Sequence, residues 1–99
     1  MTTTVNLRVN NQSIELDYFA ADFIHRIVNG ILQSLRGTCE IQTLHLTIAE
    51  SGEVKIDLNG AAVDLNPFVQ KITRGTVYGM VSQLKGASDI KKLDLTIKR

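Results

Sequence analysis

The sequence is similar to itself when it is shifted by 49 residues. At this offset, residues 5–48 align with residues 54–97 without a gap, and thirteen of the forty-four aligned pairs are identical. The identical pairs include Asn10 and Asn59, Phe19 and Phe68, Gly30 and Gly79, and Leu46 and Leu95. Similarity at a fixed offset is typical of a chain built from copies of one unit. We therefore predict a tandem duplication with copies at about residues 1–49 and 50–99.

Each copy predicts two strands, a helix and a third strand. Apolar and polar residues alternate in three stretches of each copy, which is the pattern of strands with one buried face. The six predicted strands lie at about residues 4–9, 12–16, 42–48, 53–58, 61–65 and 92–97. Asn10-Asn11 and Asn59-Gly60 separate the first two strands of each copy, and such residue pairs favour tight hairpin turns. The repeated unit is therefore ββαβ.

Between the second and third strands, the apolar spacing becomes that of a helix with one buried stripe. The predicted buried stripe of the first helix comprises Phe19, Phe23, Ile24, Ile27, Val28, Ile31, Leu32 and Leu35. Asp17 and Asn66 are suitable N-caps for the two helices, and Pro67 suits the first helical position. These signals predict helices at about 18–36 and 67–85.

A chain of 99 residues is large enough for one hydrophobic core but not for two. We therefore predict a single α+β domain over residues 1–99, with a six-stranded mixed sheet and both helices on one face. The second and third strands of each copy are expected to be parallel, because a helix returns the chain along the sheet. Residues 49–53 have the length and the Ser-Gly tip of a hairpin between strands three and four. An intertwined barrel is the alternative.

Three glycines lie inside the predicted helices: Gly30 in the first, and Gly75 and Gly79 in the second. Glycine in a helix costs about 0.5–1 kcal/mol relative to alanine, so these positions should bring a compensating gain. We interpret them as positions of close packing between the two helices, or of an interface with another chain along the same stripe. Space for a bound ligand is the alternative.

Candidate catalytic residues are few and are not repeated between the copies. Asp22 lies three residues before His25, a spacing that would let a carboxylate orient an imidazole, but the corresponding residues of the second copy are both basic. His45 has Asp94 as its counterpart, and the single cysteine, Cys39, follows a helix C-terminus, where the helix dipole disfavours a thiolate. We interpret the histidines as surface residues and Cys39 as a structural thiol. We predict no catalytic residue, metal ligand or cofactor.

The charge of the chain is close to balance. The net charge is +1, with three basic and four acidic residues in residues 1–49 and eight basic and six acidic residues in residues 50–99. The basic residues of the second half are Lys55, Lys71, Arg74, Lys85, Lys91, Lys92, Lys98 and Arg99. This excess is small compared with the strongly basic face of most nucleic-acid-binding domains. Nucleic acid is therefore not the expected partner.

The expected location is the cytoplasm. No segment is apolar over the roughly 20 residues that a spanning helix needs, and residues 1–5 lack the basic and apolar regions of a signal peptide. A single cysteine also excludes an intramolecular disulfide and fits a reducing compartment.

The sequence thus predicts a function that depends on surfaces rather than on a reactive site. We expect a non-enzymatic protein-interaction or assembly module, which binds another protein or a second copy of itself through a sheet edge or the helical layer. One alternative is weak nucleic-acid binding through the basic second half. The other is a small-ligand site at the junction of the two copies.

Overall fold

A computed structural model describes residues 4–36, 41–84, 87 and 89–99. The fold is a small α+β structure with six strands and two helices, in the predicted order. The elements are β1 (Thr4–Val9), β2 (Gln12–Ile14), α1 (Tyr18–Arg36), β3 (Thr43–Ile48), β4 (Val54–Leu58), β5 (Ala61–Val63), α2 (Pro67–Val81) and β6 (Leu93–Lys98). The second helix ends about one turn before the predicted residue 85.

The strands form one sheet in the order β2-β1-β6-β3-β4-β5. Every neighbouring pair is antiparallel, so the predicted mixed sheet is wrong. The reason is the position of β6, which lies between β1 and β3 and runs antiparallel to both. As a result, β2 and β3 point in opposite directions, and the helix between them does not connect parallel strands.

The strand pairing is symmetric about the centre of the sheet. Leu46 of β3 pairs directly with Leu95 of β6, and these two residues are related by the 49-residue offset. On either side of this pair, β1 and β6 have the same register as β4 and β3. The two outer hairpins also have equivalent registers. This symmetry agrees with a duplicated unit, although the duplication itself stays a prediction.

Two asparagines join the hairpin turns to the central strands. Asn10 and Asn59 have φ angles of 53° and 52°, as the predicted tight turns require. The Oδ1 atom of Asn10 accepts hydrogen bonds from the backbone N–H groups of residues 91–92, at 2.8 and 3.1 Å. The Oδ1 atom of Asn59 accepts from those of residues 42–43, at 2.8 and 3.0 Å. Each turn therefore fixes the beginning of a central strand.

One face of the sheet and one side of each helix form a single hydrophobic core. The central strands contribute Leu44, Leu46, Ile48, Leu93, Leu95 and Ile97, and the flanking strands contribute Leu7, Val9, Val54, Ile56, Leu58 and Val63. The buried helical positions are Ile24, Val28 and Leu32 in α1 and Thr73, Val77 and Val81 in α2. The smallest dimension of the molecule is 19 Å, as expected for one sheet and one layer of helices.

Thr73 is a polar residue at a core position. Its side chain is 1% exposed, and its hydroxyl oxygen has no hydrogen-bond partner among the residues that the structure describes. The equivalent position of α1 is Ile24, which is also buried. A buried hydroxyl without a partner destabilises a core, so α2 packs at a cost that α1 avoids.

The helix N-caps are those that the sequence predicts. Asp17 Oδ1 accepts a hydrogen bond from the N–H group of Ala20 at 2.7 Å. Asn66 Oδ1 accepts one from the N–H group of Val69 at 2.8 Å, and Pro67 follows as the first helical residue. These bonds satisfy first-turn N–H groups that have no partner within the helix.

The second helix is anchored to the β3–β4 hairpin. Arg74 Nη1 donates a hydrogen bond to the carbonyl oxygen of Gly52 at 2.6 Å, and Gln70 Oε1 accepts one from the N–H group of Val54 at 3.2 Å. Gly52 has a φ of 94°, and a Cβ atom there would lie 3.2 Å from Arg74 Nη1. Both observations explain why glycine occupies the tip of this hairpin.

The role of the turn asparagines can be tested with Asn10→Gly. Glycine accepts the positive φ but removes the acceptor for residues 91–92, so we expect the free energy of unfolding to fall by about 1–3 kcal/mol. Asn10→Asp keeps an acceptor at this position and should lose less. Urea denaturation measures both variants. An Asn10→Gly variant as stable as the wild type would contradict the proposed role of the side chain.

Candidate interaction surface

Apolar side chains remain exposed on the side of the helices that faces away from the sheet. Phe19 and Phe23 of α1 are 72% and 44% exposed, and Phe68 and Ile72 of α2 are 68% and 49% exposed. The prediction that Phe19 and Phe23 belong to the buried stripe is therefore wrong. Large apolar side chains left this accessible require an explanation other than core packing.

The geometry of a helix explains the error. At about 100° per residue, Phe19 and Phe23 lie about 180° and 140° around α1 from the buried Val28. A sheet covers only one side of a helix, so a stripe of eight apolar residues is too wide to be buried entirely. This excess width is the signal in the sequence that part of the stripe is exposed. Which part is exposed depends on the position of the helix over the sheet.

The three helix glycines lie on the same side as the exposed apolar residues. Gly30, Gly75 and Gly79 are exposed, and a Cβ atom added at any of them would meet no heavy atom of the described residues within 4 Å. Among the described residues, no close contact between α1 and α2 is therefore seen at these glycines, and their interpretation as close-packing or interface positions stays a prediction. They remain candidates for an interface with another molecule.

We call this surface the outer helical face. It comprises Phe19, Phe23, Arg26 and Gly30 of α1 and Phe68, Ile72, Gly75 and Gly79 of α2. In each helix the spacing is i, i+4, i+7 and i+11, which places all four residues on one side. Both helices therefore present aromatic or aliphatic side chains next to a glycine.

The part of the outer helical face on α1 has a defined shape. The rings of Phe19 and Phe23 meet edge to face, with centroids 5.8 Å apart. Next to them is a shallow cleft of about 280 Å³, which is lined by Phe19, Asp22, Phe23, Arg26 and Ile27. Arg26 Nε donates a hydrogen bond to Asp22 Oδ2 at 2.9 Å, and this bond raises the pKa of Arg26. Asp22 thus pairs with Arg26 rather than orienting His25.

The open face of the sheet carries balanced charges. His45 Nε2 lies 3.5 Å from Asp94 Oδ1, with both side chains partly exposed. These two residues are related by the 49-residue offset, and they meet because β3 and β6 are neighbours at the centre of the sheet. In the strand register, Arg8 of β1 lies opposite Asp94 of β6, and Asp57 of β4 lies opposite His45 of β3. No group of three potential metal ligands occurs among the described residues, and the face presents alternating charges rather than a basic surface.

The described basic residues of the second half are not gathered on one face. Lys91 and Lys92 share a cleft with Glu50 and Asp89 at one end of the sheet, where the charges balance. The guanidinium group of Arg74 donates a hydrogen bond to the β3–β4 hairpin.

Two candidates of the sequence analysis, Cys39 and Lys85, lie outside the described residues. Ser88, which aligns with Cys39 at the 49-residue offset, also lies outside them.

Both edges of the sheet are short. The edge strands β2 and β5 have three residues each. A partner strand added to either edge would make only a few backbone hydrogen bonds, and short edge strands are a common way of preventing edge-to-edge association. The outer helical face is therefore the better candidate for a binding surface.

Neither described helix is long and apolar enough to cross a membrane. Comparison of the chain with models of protein families, with curated proteins and with solved structures finds no match. The interpretation of the outer helical face therefore depends on its own geometry.

Replacing Phe68 with aspartate tests whether this side chain serves the fold. Phe68 lies in the first turn of α2, which has no acidic residue and where a negative charge is favourable. We expect the free energy of unfolding of Phe68→Asp in dilute solution to stay within about 0.5 kcal/mol of the wild type. Leu32→Ala, at a position that is 0% exposed, should lose about 2–5 kcal/mol. A comparable loss in Phe68→Asp would assign Phe68 to the core instead.

The exposed helix glycines can be tested in the same way. Gly79→Ala should raise the free energy of unfolding by up to about 1 kcal/mol, because alanine is the better helix former and meets no described neighbour. Gly75→Ala should do the same. Gly52→Ala is the control and should destabilise the protein, since Gly52 has a positive φ and contacts Arg74. Thermal or urea denaturation compares the three. If Gly79→Ala destabilised the protein, the added methyl group would have to clash with a part of the molecule, in contradiction to the open space around Gly79.

Proposed function

We propose that this protein is a non-enzymatic interaction or assembly module that binds a protein partner through the outer helical face. The observation that carries the proposal is the exposure of Phe19, Phe23, Phe68 and Ile72, which range from 44% to 72% exposed. Burying such side chains against a partner is favourable at roughly 25 cal/mol per Å². Exposed apolar patches of this kind mark interaction sites in many soluble proteins.

We further propose that the two halves are copies of one ββαβ unit within a single domain of residues 1–99. Supporting this, the turn asparagines, the buried helical positions and the strand registers all recur at the 49-residue offset. Exposed Phe19 and Phe68 recur in the same way. A duplicated unit would present its binding stripe twice, once on each helix. A single cysteine supports the cytoplasm as the place of action.

The alternatives have less support. The described residues that line the cleft between the end of α1 and the beginning of α2 are Leu35, Val63, Asp64, Asn66 and Val69. Among them, Asp64 is the one ionisable group, which gives little support to a ligand site with several convergent polar groups. Binding of nucleic acid would require basic groups on one face, whereas Lys91 and Lys92 lie beside acidic residues.

Affinity capture tests the proposed function. The chain is immobilised, incubated with an extract of its native cells with and without nuclease, and the retained proteins are quantified by mass spectrometry. We expect retention of specific proteins that withstands nuclease, is lost with Phe68→Asp and persists with Asn6→Asp, which adds the same charge to an exposed position of β1. Equal retention by both variants would contradict binding through the outer helical face. Loss upon nuclease treatment would favour nucleic-acid binding.

A further inference from the structure

We infer that the outer helical face binds a second copy of this chain, so that α1 of one copy packs on α2 of the other about a twofold axis. The inference rests on the proposed function, because it uses the same surface and names its occupant. Three properties of the outer helical face support it: its apolar area, its repetition on two helices and its complementary side chains.

The apolar area is that of a stable dimer interface. If a large apolar side chain has about 200 Å² of surface, the exposed fractions of Phe19, Phe23, Phe68 and Ile72 together leave about 450 Å² accessible. A typical specific interface buries about 800 Å² per partner, and roughly 60% of that area is apolar. The outer helical face therefore supplies about the apolar area that one partner contributes.

The repetition of the stripe makes the surface suitable for a twofold dimer. In such a dimer, the same patch of both copies forms the interface, so a residue that contacts a second residue is contacted in turn by its equivalent. Phe19 and Phe68 occupy equivalent places on α1 and α2, as do Phe23 and Ile72. A net charge of +1 also keeps the repulsion between two copies small.

Two differences between the outward sides of α1 and α2 favour a dimer in which α1 of one copy packs on α2 of the other. They disfavour a dimer in which each helix packs on its own equivalent. At the middle of the stripe, α1 has the long side chain of Arg26 and α2 has Gly75, so that α1 against α2 avoids two arginines in contact. At the preceding outward position, α1 has Asp22 and α2 has Lys71. Pairing unlike helices therefore combines a large residue with a small one and offers Lys71 of α2 an acidic partner on α1. Pairing α2 with itself offers Lys71 none, because α2 has no acidic residue.

The glycines provide room for close approach. With no described atom within 4 Å of an added Cβ at Gly75 or Gly79, the backbone of α2 is open to a partner helix. Small residues spaced by four allow helices to pack closely, and the edge-to-face pair of Phe19 and Phe23 projects from α1 as an exposed apolar group. We assign the glycines to this contact between copies.

Sedimentation equilibrium over a wide concentration range tests the dimer. The wild type should approach twice the mass of the 10.9 kDa chain. Phe68→Asp and Gly75→Arg should each weaken the dimer by at least about tenfold in Kd, which corresponds to about 1.4 kcal/mol. Asn6→Asp on the open face of the sheet should leave it unchanged. Because arginine is a better helix former than glycine, Gly75→Arg should keep α2 folded. A weaker dimer in this variant would therefore not be explained by misfolding.

Chemical cross-linking tests which helices meet. In a Cys39→Ser background, chains with Arg26→Cys are mixed with chains with Gly75→Cys and treated with a short bismaleimide. We expect the mixture to give far more cross-linked dimer than either variant alone. Cross-linking of Arg26→Cys chains alone, at the yield of the mixture, would overturn the pairing of unlike helices.

The remaining outcomes separate this inference from the proposed function. A wild type that stays monomeric at the highest concentration overturns the second copy as occupant, while retention of other proteins that depends on Phe68 would still support the proposed function. A dimer that withstands Phe68→Asp and Gly75→Arg overturns the inference as well, because the copies would then meet elsewhere.

Discussion

The pairing of β3 with β6 at the centre of the sheet makes each half of the chain depend on the other. Strand β6 belongs to the second half, yet it pairs with β1 and β3 of the first. The hairpin of β1 and β2 is therefore separated from its own third strand. Either half alone would have an unpaired central strand and about half of the core, and chains of that size bury too little surface to be stable. The molecule should consequently fold in one cooperative step, in which distant strands must meet.

The local features of this fold could be predicted from the sequence because they depend on neighbouring residues. Asn59-Gly60 specifies a tight turn, Asn66-Pro67 specifies a helix beginning, and alternating apolar residues specify strands with one buried face. The strand directions could not be predicted, because they depend on which distant strand is inserted between β1 and β3. The turn asparagines also have a second role that is invisible locally. Asn10 Oδ1 binds N–H groups about 80 residues away along the chain.

The candidate surface could be predicted only in part for a similar reason. The sequence identifies Gly30, Gly75 and Gly79 as unusual and places Phe19 and Phe23 beside Gly30. It does not say which side of the helix the sheet covers, because burial depends on the position of each helix over the sheet. The core is centred on Val28 and Val77, which are 1% and 0% exposed. Once those positions are known, the glycines and phenylalanines follow as the outward side of each helix.

The buried hydroxyl group of Thr73, which has no partner among the described residues, should make α2 less resistant to local unfolding than α1. It occupies the place of Ile24 in α1, and α2 also has fifteen residues where α1 has nineteen. A shorter helix with an unsatisfied core hydroxyl and two interior glycines should open more often than its counterpart, while the sheet stays intact. The amide protons of α2 would then exchange with solvent before those of α1. The two helices would then differ in local stability, and the less stable one would be the helix whose backbone is open at two glycines, Gly75 and Gly79.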